Sequence, residues 1–108
     1  MSKKAEPMLI MTTCRGSITA KQIAQDLVAN RLAACVNTLS GIQSCFRWGG
    51  KVDHAEEILL LIKTTSDCYT KVEEKIKSLH PYELPEIIAV PISAGLDGYL
   101  DWIDENTN

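Results

Sequence analysis

Three uninterrupted apolar runs, Met8–Met11, Ile58–Ile62 and Ile87–Val90, alternate along the chain with two stretches whose apolar residues recur at helical spacing. Runs of four or five apolar residues suit buried strands, and the stripe Ala20, Ile23, Ala24, Leu27, Val28 and Leu32 suits an amphipathic helix. Ser17 or Thr19 is placed to cap that helix, and Gln22 could close a capping box on Thr19. A β-rich segment follows from Ala34 to Trp48, and Gly49-Gly50 then marks a hairpin turn, which could extend as far as Asp53. Ser66 and Asp67 open a second helix with Tyr69, Val72, Ile76 and Leu79 on one face, and Pro81 ends it. After the last strand, Gly95 to Gly98 introduces a short helix in which Leu96, Tyr99, Leu100 and Ile103 share a face.

The resulting order is β-α-β-β-α-β plus a tail helix. This predicts an α+β chain of ferredoxin-like topology, with both long helices on one face of an antiparallel sheet. A monomer of that kind should alternate apolar and polar residues along its strands. These strands do not alternate, so about half of their side chains point at the face without helices. Exposing each large one would forgo roughly 1.5 to 3 kcal/mol, and the patch would exceed what soluble monomers carry. A second copy of the chain is the simplest cover, and a closed homo-oligomer is expected. The alternative is that the tail helix alone covers the second face.

At 108 residues the chain is read as one domain over 1–108, with 1–6 as an N-terminal tail. Net charge is −3 and the eleven Lys and Arg are scattered, so no basic stripe is available for nucleic acid. The acidic stretch from Asp97 to Glu105 reads as a solvated helix face, or else as an acid-lined partner site. The first apolar run is broken too soon, at Thr12-Thr13, for a signal segment or membrane span. A cytoplasmic protein is therefore expected, and Cys14, Cys35, Cys45 and Cys68, which lack Cys-x-x-Cys spacing, read as free thiols.

The most unusual segment is His80-Pro-Tyr-Glu-Leu-Pro-Glu-Ile87. Pro81 and Pro85 fix their own φ and keep His80 and Leu84 out of the helical region, giving a stiff, extended loop. That pattern serves either as a platform for a site or as a helix stop leading into an edge strand. His80 with Glu83 and Glu86 suits a borderline divalent ion such as copper or zinc, held weakly, with further ligands from Cys14, a neighbouring subunit or water. Cys14 can equally be a thiol activated near a helix start and Arg15, or a small packed residue. Lys51 and Lys63 are the nearby cations for a small anion. Neither His54 nor His80 has a nucleophile context, and Arg15-Gly16-Ser17 is too short to cradle a phosphoryl group, so no enzyme and no organic cofactor are expected.

Several motifs occur together and in order. They are Ala33-Ala-Cys-Val-Asn37, Phe46-Arg-Trp-Gly-Gly-Lys51, Glu57 before the apolar run, Lys63-Thr64, the His80–Ile87 segment, and Tyr99-Leu-Asp-Trp102. Together, from Leu9 to Trp102, the chain resembles the CutA family of divalent-cation tolerance proteins. The resemblance implies a homotrimer of ferredoxin-like subunits, an architecture related to PII signalling proteins, and an association with copper and other divalent metals. It also implies, as an alternative, a regulatory module whose clefts between subunits, lined by Trp48, Lys51, Lys63, Tyr82 and Glu86, take a small molecule or protein partner. Two departures stand out. The cysteine that some members carry at the end of the first strand, a proposed copper ligand, falls at Thr12 here, two residues before Cys14. The paired histidines that some members have before the proline are Leu79-His80 in this chain.

Overall fold

Four strands and three helices follow one another as β1 (Pro7–Cys14), α1 (Ser17–Ala29), β2 (Cys35–Trp48), β3 (Lys51–Thr65), α2 (Tyr69–Leu79), β4 (Ile87–Pro91) and α3 (Asp97–Glu105). A 3-10 turn, Ser66–Cys68, leads into α2. The structure is a computed structural model that describes residues 5–108. Residues 1–4 of the expected tail lie outside the described residues, whereas Glu6 already accepts a backbone hydrogen bond from Ser66 at 2.8 Å. The sheet order is β2-β3-β1-β4 with antiparallel neighbours throughout, which is the ferredoxin-like arrangement expected.

The register explains the core. Ile10 pairs with Ile62 on one side and Ala89 on the other, so the three share a face. That face meets Ala20, Ile23 and Leu27 of α1 and Val72 and Ile76 of α2, and the large members of this cluster are fully buried. The opposite face carries Leu9, Met11, Leu59 and Leu61, all half-buried, with Leu39, Ile88 and Val90 between 41% and 50% exposed. Helix α3 contacts β3 and β1, buries Ile103 completely, and brings the Tyr99 ring to 5.5 Å from the Lys63 ammonium. Covering by the tail helix is therefore real but partial, and an apolar strip remains beside it.

Two local expectations need correction. Strand β1 runs on to Cys14, so the chain must reverse within Arg15-Gly16, and Gly16 takes φ 83°. Only glycine accepts that conformation without strain. Gly16 is thus the N-cap of α1, without a side-chain capping bond, and the box on Thr19 does not form because Thr19 already lies inside the first turn.

The β2–β3 hairpin turns through Gly49 at φ 60° and Gly50 at φ 78°, the two left-handed residues that a tight turn of this hand requires. Past the Cys14–Ile58 pair, β1 ends and β2 and β3 continue as a two-stranded arm, which stretches the molecule to 52 × 25 × 22 Å. Between Leu39–Leu59 and Ile42–Glu57 the register gains one residue on β2, a bulge at which Gly41 takes φ 79°. Because side chains alternate with period two, this extra residue exchanges the faces of β2 in the arm, while β3 keeps its alternation. It puts Ser44, Phe46 and Trp48 on the side of Glu57 and Asp53, opposite α1 and α2.

Candidate functional site: a cleft between the arm and the proline loop

The arm and the loop after α2 border a cleft of about 810 Å³. Phe46, Trp48 and Asp53 line it from the arm, Tyr82 to Glu86 from the loop, and Thr13, Arg15 and Glu57 from the end of β1 and the adjoining β3. The bulge at Gly41 is what turns the two aromatic side chains of the arm toward it. The two prolines hold the loop extended, as expected, and His80 leaves α2 at φ −81°, ψ 133°.

His80 fastens the loop to the sheet. Its Nε2 lies 2.7 Å from the Thr13 carbonyl oxygen, and its Nδ1 accepts the Tyr82 backbone N–H at 3.1 Å. A neutral ring with its hydrogen on Nε2 satisfies both contacts. The imidazole also packs against the Tyr82 ring, with centroids 4.5 Å apart. Tyr82 in turn donates its hydroxyl to Glu57 Oε2 at 2.8 Å. Burial, then the hydrogen bond to Glu57 and the carboxylate charge, push the phenol up to about 12, against a smaller opposite pull from Arg15. The Arg15 guanidinium carbon is 5.9 Å from the Tyr82 ring centre, a cation–π distance. Glu57 is only 7% exposed, and the Tyr82 bond is the one hydrogen bond of its side chain among the described residues.

The residues expected from the sequence divide into two groups. Trp48, Tyr82, Glu83 and Glu86 come together in the cleft. Lys51 stands at the hairpin tip beside Trp48 in register and does not line it, and Lys63 lies by Tyr99 of α3. As for the proposed metal ligands, both ring nitrogens of His80 face backbone partners, and Cys14 is fully buried in the core. Burial, with the Glu57 charge second, raises the Cys14 thiol, the reverse of activation by Arg15. Among the described residues no group of three His, Cys, Asp or Glu side chains is placed to hold a metal ion. Thr12 is buried on the helix side, and its hydroxyl has no partner among the described residues. Sequence reasoning does not single out Glu57, Arg15 or Phe46 as site residues. A carboxylate pair, Glu56-Glu57, directly before the apolar run at Ile58 is the available signal for Glu57.

A family model described as CutA1 divalent ion tolerance protein matches residues 8–106. The divalent-cation tolerance protein CutA of Thermus thermophilus is 48% identical over 99 residues, which are 92% of this chain and 96% of that one. Protein CutA of Mus musculus is 42% identical over 88% of this chain, which spans 54% of that longer relative. The crystal structure of CutA from Xylella fastidiosa superposes with a TM-score of 0.93 at 43% identity, covering 96% of this chain and all of that one. Sequence and fold agree, and the chain belongs to the CutA1 divalent ion tolerance protein family.

Proposed function

We propose that this chain is a non-catalytic, homotrimeric binding protein of the cytoplasm and that the cleft between the arm and the proline loop is its ligand site. The observation that carries the reading is the pair of buried Glu57 and half-buried Tyr82, which opens into a cleft of about 810 Å³ with aromatic and carboxylate walls. That volume is in the range of small-molecule sites. The trimer is supported by the strip formed by Leu39, Ile88 and Val90 and by the arm, since an isolated two-stranded ribbon is marginal in water without a partner. A further copy laid against the arm would close the cleft in the manner of a PII-like module. A small-molecule thermal-shift screen tests the reading: a compound that raises the melting temperature of the wild type and fails with Tyr82→Ala supports it. No stabilising compound in a broad screen would overturn it.

Direct divalent-metal binding is the second reading, favoured by the family description and by the exposed carboxylates of Glu83 and Glu86 on the cleft. A weakly held copper ion there would need ligands from a neighbouring subunit or water. Calorimetric titration with Cu²⁺ checks it, comparing the wild type with Glu83→Gln/Glu86→Gln and with His80→Ala.

A further inference from the structure

The charge of the cleft is lopsided. Asp53, Glu57, Glu83 and Glu86 border it, against one cation, Arg15, among the described residues. Glu57 is the informative member, because a carboxylate only 7% exposed would normally meet a cation or several donors, yet among the described residues its side chain has one phenol. Glu57 itself lines the cleft. The carboxylates do not converge: no three acids or other ligating groups among the described residues could share one ion. Separated carboxylates suit separated positive charges. The rings of Phe46, Trp48 and Tyr82 complete the recognition, since aromatic faces attract alkylammonium groups and pack their methylene chains.

Resting on the reading of this cleft as a ligand site, we infer that its ligand is an elongated organic polycation, a di- or polyamine. One ammonium pairs with Glu57 beside Tyr82, and the other reaches Glu83, Glu86 or Asp53 at the mouth. The alkyl chain between them lies along the aromatic wall. A monovalent anion would meet Arg15 but also four carboxylates, and a bare divalent ion would find no converging ligand set.

Three six-carbon probes separate charge from shape: hexane-1,6-diamine, hexane-1,6-diol and adipate, each titrated calorimetrically into the full chain at low salt. The diamine should bind and the other two should not. Glu57→Gln should weaken the diamine on the order of thirtyfold or more, since it removes one member of a buried charge pair. The amide introduced by Glu57→Gln retains an acceptor for the Tyr82 hydroxyl, so an unchanged melting temperature separates lost charge from lost fold. Adipate binding that disappears in Arg15→Gln, without diamine binding, would overturn the inference while leaving the cleft as a ligand site. Binding of the diol as tightly as the diamine, or equal diamine affinity in Glu57→Gln, would overturn it too, as would a blank for all three; in that last case the broad screen decides separately whether the cleft binds anything.

Discussion

Tyr82→Phe removes one oxygen atom from the molecule and leaves a carboxylate in trouble. Glu57 is 7% exposed and its carboxylate loses its one hydrogen bond among the described residues, while the phenylalanine ring still packs on His80. A hydrogen bond to a charged group contributes roughly 1.5 to 3 kcal/mol, and leaving its buried partner unmet adds the desolvation penalty. Water entering from the cleft can meet part of that need, so the expected loss is about 2 kcal/mol. Urea unfolding of wild type and variant at one fixed protein concentration measures it, because stability shifts with concentration in an oligomer. In a chain of 108 residues the melting temperature should fall by roughly 8 to 16 °C. A double-mutant cycle with Glu57→Leu isolates the cause: on that background the tyrosine hydroxyl has no carboxylate to serve, and Tyr82→Phe should cost little. A loss below about 0.5 kcal/mol in the single variant, the size of an ordinary surface change, would refute the reasoning, as would a cycle that shows no coupling.

Alkaline pH probes the same pair. The Tyr82 phenol is raised to about 12 in the folded state, so its stabilising contribution is complete below pH 10 and declines as pH rises from 10 toward 12; ultraviolet titration should show one tyrosine ionising last, and Tyr82→Phe should abolish that late step. Thr12→Val replaces a fully buried hydroxyl that lacks a partner among the described residues with a methyl group of like shape, and should raise stability by about 1 kcal/mol in denaturant unfolding. Thiol labelling of the native protein should modify the exposed Cys45 first and leave Cys14 and Cys68 unreacted until unfolding, since both are buried and the Cys14 thiol is raised. Deleting Gly41 should remove the bulge, turn Phe46 and Trp48 out of the cleft, and change the tryptophan emission without unfolding the helical core.

Much of the fold was legible in order and kind. Helical and strand periodicities differ enough that the βαββαβ order could be read directly, and the paired glycines 49 and 50 located the hairpin because that turn needs two left-handed residues. Capping was not legible, because the strand-to-helix reversal, and not the polar side chain nearby, determines where α1 begins. The site was legible only in part. Tyr82, Glu83 and Glu86 lie together on a loop stiffened by local covalent geometry, so their proximity survives from sequence to structure. Lys51 and Lys63 are separated by the length of a strand, and His80 is occupied by backbone partners that no spacing could announce.

What the chain determined by itself is periodicity, turn conformation and the rigidity of residues 80–87, because each of these depends on neighbours a few residues away. What only tertiary structure decided is which polar groups meet. Glu57 and Tyr82 are 25 positions apart and Thr13 and His80 are 67 apart. Their contacts depend on strand register, on one extra residue at Gly41, and on the packing of α2 against the sheet. Such long-range pairings are set by the summed burial of the whole core, and no local stretch encodes them.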